Sequence, residues 1–269
     1  MVAPGVRIDE DIAARVAAIA AEEYPEASLY FHPQCFSAAG HFAGPDAERL
    51  AALTDIANDP AFDAVWFARG GYGACRIVED AIAALSHAAR QKLYMGYSDA
   101  GVLLSGLYAR GFSGLMHGPM PVDIIRPGGE AAVRRALAYL TRRDPAALDA
   151  TVTPALKTAA YNMSILSIVL GTPLQPDLTD HVLMLEDVGE YMYRLDRLMF
   201  HITSNPGVRR AAGVRLGRCL PIPANETDFG MTEDDIARHW CARAGLAYLG
   251  RCDIGHDIDN KIAPFGRAP

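Results

Sequence analysis

Lys92-Leu93-Tyr94-Met95-Gly96-Tyr97-Ser98-Asp99-Ala100-Gly101-Val102-Leu103-Leu104-Ser105-Gly106-Leu107 is an apolar run that stops at a serine and passes at once into a helix-like stretch. A strand that turns directly into a helix exposes the intervening hydroxyl at the carboxyl edge of a sheet. The first amides of such a helix lack intrahelical partners and carry the positive end of its dipole, so they can receive an oxyanion. That is the logic of a nucleophile elbow, although the Gly-x-Ser-x-Gly spelling is absent. The same residues also suit an ordinary strand end whose polar side chain caps the next helix. Taken alone, the window favours the cap.

Outward from this stretch, strand and helix signals alternate through the first half. Asp11 to Glu23 places Ile12, Val16 and Ile19 at helical spacing, and Asp46 to Asn58 does the same with Leu50, Leu53 and Ile56. Ser28 to His32, Asp63 to Ala68, Leu93 to Tyr97 and Phe112 to Met116 read as strands. Cys75 to Leu85, Gly101 to Ala109 and Glu130 to Tyr139 read as helices. This rhythm predicts an α/β fold with a parallel sheet flanked by helices, whose ligands bind beyond the carboxyl ends of the strands. Gly70, Gly71 and Ser98 all fall at such ends. The polar stretch Thr141 to Pro154 breaks the pattern and predicts a linker. Domains are therefore expected over 1–140 and 155–269, the second smaller and of mixed α/β type. Its helices are expected at Met163–Leu170, Arg194–Ser204 and from Thr232 to the closing Gly245, and its strands at His181–Leu185, Gly213–Leu220, Leu246–Leu249 and Lys261–Phe265.

The 269 residues are 51% hydrophobic and 21% charged, a normal globular balance. A net charge of −7 and a pI near 5.6 argue against nucleic-acid or anionic-membrane partners, which reward basic surfaces. Five scattered cysteines without a Cys-x-x-Cys fit free thiols in a reducing compartment. No leader-like segment opens the chain and no apolar run approaches bilayer length, so a cytoplasmic location is expected. No His-Glu-x-x-His and no paired Cys/His spacing occurs, so neither a metal nor another cofactor is expected.

Arg69-Gly70-Gly71-Tyr72-Gly73, Gly96-Tyr97-Ser98-Asp99, His117-Gly118-Pro119-Met120, Leu185-Glu186-Asp187-Val188-Gly189-Glu190 and Gly255-His256 follow one another along the chain. These blocks, in this order, resemble the LD-carboxypeptidase family of serine peptidases, of which the microcin-immunity peptidases are a branch. The resemblance runs from about Val2 to about Gly266. It implies two domains with the active site between them, and a catalytic Ser98, Glu186 and His256 in chain order. It further implies an oxyanion hole from the amides of Gly71 and Asp99. A substrate pocket shaped by Arg69 and His117 is expected from it, with Asn162, where Tyr161-Asn162 stands in place of the common Gly-Gly-Asn.

The residues by themselves say less. A serine nucleophile needs a base and a group that orients the base. Glu186 ends the run Val182-Leu183-Met184-Leu185, so it too sits at a strand end, but Asp187 and Glu190 are close and all three could be solvated loop acids. His256 is one of eight histidines, and His117 is its strongest rival. The glycines at 70, 71 and 73 could equally form a plain turn.

The resemblance implies a cofactor-free serine carboxypeptidase. Its expected reaction is cleavage between the L-centre of a diamino acid and a terminal D-alanine in a murein tetrapeptide, during cell-wall recycling. The expected partner is that peptide or a related small one, with no nucleic acid and no membrane, and a homodimer is one of the states allowed. Two rival readings remain. One keeps the triad and takes a peptidyl or aminoacyl nucleotide, which calls for aromatic residues to stack the base; the chain has only Trp66 and Trp240, both in regular structure. The other is a non-catalytic two-domain ligand-binding protein.

Overall fold

Two mostly parallel sheets are each built from a consecutive run of strands and closed at one edge by a short antiparallel strand drawn from residues 263–267. A computed structural model describes residues 1–268. The first sheet has the order β1 (Ala64–Trp66), β2 (Leu93–Gly96), β3 (Leu115–His117) and β8 (Ala263–Pro264). The second has the order β7 (Tyr248–Arg251), β6 (Gly213–Leu216), β5 (His181–Glu186), β4 (Lys157–Asn162) and β9 (Gly266–Arg267). β1 to β3 are mutually parallel, as are β4 to β7, whereas β8 and β9 run antiparallel to β3 and β4.

The helices are α1 (Glu10–Glu23), α2 (Asp46–Asn58), α3 (Val78–Ala84), α4 (Gly101–Ala109), α5 (Glu130–Arg142), α6 (Met163–Val169), α7 (Met192–Ser204) and α8 (Glu233–Ala244). α4 explains how the sheets meet. Gly101 to Leu107 are all buried, so this helix has no solvent face. A helix apolar on every side belongs between layers. Its Ser105 hydroxyl lies 3.0 Å from Tyr161 Oη on β4, and Tyr108 Oη lies 2.7 Å from His181 Nε2 on β5. Leu103, Leu104 and Leu166 of α6 share one core cluster with Leu183 and Leu185 of β5. Each such buried side chain contributes about 1.5–3 kcal/mol over exposure. The core therefore runs unbroken from one sheet to the other.

The structure departs from the sequence reading at several elements. Ser28 to His32 is not a strand; its backbone bonds to Met1, through the Met1 amine to Tyr30 O and His32 N–H to Met1 O at 3.0 Å, and His32 O accepts from Cys35 N–H at 2.9 Å in the turn that follows. β4, the partner of β5, was not anticipated. The segment 261–265 does not stay within the second unit: Ala263–Pro264 joins the first sheet, and Gly266–Arg267 returns to the second. The cap and stop of α8 are as expected. Thr232 Oγ1 accepts from Asp235 N at 3.2 Å, and Gly245 ends the helix at φ 73°.

Candidate active site

Ser98 sits in a strained elbow. β2 ends at Gly96, Tyr97 is extended, and Ser98 has φ 58°, one of three non-glycine residues on the positive side among the described residues. A single 3₁₀ turn, Ser98–Ala100, then feeds α4. The turn needs Gly96, because a Cβ there would lie 2.9 Å from the Phe67 ring and 3.1 Å from Ala100 Cβ. It also needs Gly70: a Cβ at that position would come within 3.0 Å of Ser98 Cβ and 3.1 Å of its Oγ. The loop after β1 thus lies directly on the serine, and Gly71 turns it at φ 98°.

That loop is held from behind by two buried side chains. Asp99 accepts from Ala74 N–H at 2.9 Å, and burial raises its pKa against the pull of the amides that face it. Arg49, wholly buried, bonds Gly73 O at 2.9 Å, Pro4 O and Asp46. The sequence suggested a role only for the Asp99 amide; its carboxylate anchors the glycine loop.

Glu186 ends β5 and has no exposed surface. Its Oε2 lies 2.5 Å from His256 Nδ1. His117 Nε2, at the end of β3, stands 3.8 Å from Oε1, beyond hydrogen-bond reach. Gly217 lets the chain after β6 pass close behind, since a Cβ there would lie 3.0 Å from Glu186 Cβ and 2.6 Å from Ile254 O. The loop bearing His256 is pinned on three sides. Arg218 forks onto Asp257 at 2.5 and 2.9 Å, Gly255 N–H donates to the buried Asn260 at 3.1 Å, and Arg135 from α5 reaches Ile258 O at 2.8 Å.

Burial opposes ionisation of Glu186, but the imidazolium of His256, with His117 beyond it, outweighs that penalty and lowers its pKa to about 2. Burial likewise pulls the His256 pKa down. The charge and hydrogen bond of Glu186, helped by Asp187 and Asp123, more than compensate and leave it raised. Both directions describe one buried ion pair. The remaining His256 nitrogen, Nε2, has no hydrogen-bond partner among the described residues.

Ser98 and His256 line one cavity of about 300 Å³, together with Arg69, Gly71, Tyr97 and Arg126. The Tyr97 ring packs on His256 with centroids 4.7 Å apart, and its hydroxyl donates to Asp123 Oδ1 at 2.7 Å. Burial raises the Tyr97 pKa well above the ordinary value, so it stays a donor. Asp123 also accepts from Met120 N–H at 2.8 Å and Arg126 Nε at 3.2 Å. Asp123 and Arg126 follow the His117-Gly118-Pro119-Met120 block by only a few residues. An acid between the apolar Val122 and Ile124 is the one signal the sequence offers for them.

The expected site residues separate into two groups. Ser98, Gly71, Arg69 and His256 border the cavity, with Glu186 directly behind His256. His117, Asn162 and the buried Asp99 do not border it. His117 is buried on the far side of Glu186, and Asn162 accepts from Ile165 N–H to cap α6 while donating to Asp187 at 2.8 Å. The rival acids are engaged elsewhere: Asp187 with Asn162 and Ser164, Glu190 with Arg194.

Residues 1–118 match the LD-carboxypeptidase N-terminal domain and residues 158–268 its C-terminal domain. A Streptomyces coelicolor protein named as a candidate carboxypeptidase is 32% identical, over 84% of this chain and 74% of its own length. The murein tetrapeptide carboxypeptidase of Pseudomonas aeruginosa is 27% identical, over 84% of this chain and 78% of its own. Among solved structures, muramoyltetrapeptide carboxypeptidase from Oxalobacter formigenes superposes with a TM-score of 0.81 at 21% identity, covering 98% of this chain and 92% of that one. MccF in complex with glutamyl sulfamoyl guanosine superposes with a TM-score of 0.79 at 15% identity, covering 98% and 90%.

Proposed function

The chain belongs to the LD-carboxypeptidase family of peptidases, and from that premise we propose that it is a serine carboxypeptidase that removes the terminal D-alanine from murein tetrapeptides. The scissile bond joins that residue to the L-centre of a diamino acid. Ser98 Oγ attacks the carbonyl carbon. His256 Nε2 takes its proton and returns it to the departing amine, while Glu186 fixes the Nδ1–H tautomer and balances the imidazolium. The amides of Gly71 and Asp99 receive the oxyanion; one such donor is worth about 3–4 kcal/mol in the transition state. Water then releases the acyl group by the same steps in reverse order.

The observation that carries this reading is the buried Glu186–His256 pair, whose Nε2 is left unpartnered, lining the same cavity as the strained Ser98. Strain of this kind costs about 1–3 kcal/mol and persists where the surroundings enforce it. The nucleotide reading has less support, because neither tryptophan borders the cavity: Trp66 is buried with Nε1 on Pro119 O, and Trp240 bonds Asp196. No helix among the described residues is long and apolar enough to cross a membrane. Free cysteines at 35, 75, 219, 241 and 252 support a reducing, cytoplasmic setting and a role in wall recycling.

The test is mass spectrometry of a disaccharide-tetrapeptide incubated with the protein. The expected product has lost one alanine, and a fluorophosphonate that labels Ser98 blocks its formation. Hydrolysis of an aminoacyl sulfamoyl nucleotide with the tetrapeptide untouched would turn the assignment to the nucleotide reading.

The ion pair sets a pH dependence of known sign. His256 must be neutral to accept a proton, and its raised pKa means that kcat/KM climbs with pH through a value above the ordinary ~6.5. Stability moves the other way. A raised folded pKa stabilises the protein fully below the unfolded value, and that contribution is lost as pH rises through the folded one. The expected result is that Tm of the wild type, relative to His256→Gln, falls over the same pH interval in which kcat/KM rises. A Tm difference that stays flat across that interval would overturn the pairing.

A further inference from the structure

Two cations border the cavity, Arg69 and Arg126, and the only acid on its wall, Asp123, is already occupied. Asp123 is buried, and its oxygens take Tyr97 Oη, Met120 N–H and Arg126 Nε. Arg126 thus meets Asp123 through Nε, which leaves the outer edge of its guanidinium turned from Asp123. Its side chain is 39% exposed, reachable but not free in solvent. Charge-assisted, forked contact with a carboxylate is the geometry that edge favours.

We propose that Arg126 receives the terminal carboxylate of the substrate, and so makes the enzyme a carboxypeptidase rather than an endopeptidase. This rests on the peptidase reading above. A carboxypeptidase substrate carries one obligatory anion beside the scissile bond, attached through a single carbon to the nitrogen that leaves. The cation that reads it must stand in fixed register with the nucleophile. Arg126 meets that condition through a short chain of contacts. Tyr97 precedes Ser98, its hydroxyl holds Asp123, and Asp123 holds Arg126. Arg69 does not: it sits on the glycine loop, and its Nη1 reaches only the exposed Arg7 carbonyl at 3.2 Å. Asp123 also repels a substrate carboxylate that misses Arg126, which narrows the accepted poses.

The experiment compares the tetrapeptide with its C-terminal carboxamide, using wild type, Arg126→Met, Arg126→Lys and Arg69→Met. Wild type is expected to prefer the free acid by roughly 100-fold in kcat/KM, since an unmatched charged site rejects the uncharged analogue. Arg126→Met should lose about that factor on the acid and change little on the amide, so the preference collapses. Arg126→Lys keeps the charge but not the fork, and should retain part of the preference; it also serves if the methionine variant fails to fold. Arg69→Met should keep the preference. Equal losses on both peptides, or a collapse caused by Arg69→Met instead, overturn the proposal while the peptidase reading stands. A folded wild type that releases neither alanine from the acid nor alaninamide from the carboxamide overturns the murein reading itself, and this proposal with it.

Discussion

Ser98→Ala is expected to abolish D-alanine release and leave the fold intact. The loss should reach about three orders of magnitude or more in kcat, because removing a triad member leaves only binding and the oxyanion hole. Stability should change by less than ~1 kcal/mol. Alanine at φ 58° carries much the same backbone strain as serine, and the side chain lost is one hydroxyl at the mouth of a cavity. Ser98→Gly makes the point sharper. Glycine relaxes the elbow, so that variant should be inactive yet at least as stable as the wild type by urea unfolding. A folded Ser98→Ala protein with near-normal turnover would remove serine from the mechanism.

Substitutions at Glu186 and His256 are expected to be strongly non-additive. His256→Ala should cost several orders of magnitude in kcat. Glu186→Gln should also cost heavily, since an amide in that buried slot can present N–H to Nδ1 and favour the wrong tautomer. Glu186→Asp keeps the charge, shortens the reach and should retain partial activity. The double variant His256→Ala/Glu186→Gln should turn over no more slowly than His256→Ala alone, because Glu186 acts only through His256. It should even be the more stable of the two. His256→Ala leaves a fully buried carboxylate without its cation, whereas the amide carries no charge. A double-mutant cycle on kcat/KM with one tetrapeptide, run beside urea denaturation, measures both. Additive kinetic losses would free Glu186 from His256 and move attention to His117, which stands on the other side of the same carboxylate.

Local pattern carried the parts of the fold whose burial is one-sided or total. α4 was legible because every residue from Gly101 to Leu107 is small or apolar, and β2 because it meets that helix at a serine. β4 is not legible in the sequence: it is buried on both faces, so Lys157-Thr158-Ala159-Ala160-Tyr161-Asn162 shows no alternation, and its two alanines resemble the linker before it. Ser28 to His32 shows the opposite failure. Exposed Tyr30 between less exposed Leu29 and Phe31 gives the alternation of a strand, yet no strand pairs with it, and Tyr30 stacks on Phe62 instead. At the site, Ser98 was marked by local sequence, whereas His256 was marked only by family resemblance. What distinguishes His256 from seven other histidines is tertiary: Arg218, Asn260 and Arg135 hold its loop against Glu186. Arg126 lay hidden in Ile124-Ile125-Arg126-Pro127-Gly128-Gly129, which reads as a surface turn.

The pairing of β8 with β3 bears on association. The free edge of a parallel sheet is a row of open donors and acceptors that invites a strand from another molecule. Here Phe265 N–H bonds Leu115 O, and Ala263–Pro264 lies along the outer side of β3. Pro264 has no N–H to offer outward, so the added strand covers the edge and blunts the next one. The residues that do this lie far downstream in the chain. While a ribosome is still making the second half, the first sheet has its β3 edge bare, and a chain stalled there is open to aggregation through it. The same late segment follows the His256 loop directly. The chain therefore gains its protection against sticking to its neighbours and its capacity to hydrolyse a peptide at nearly the same moment of synthesis.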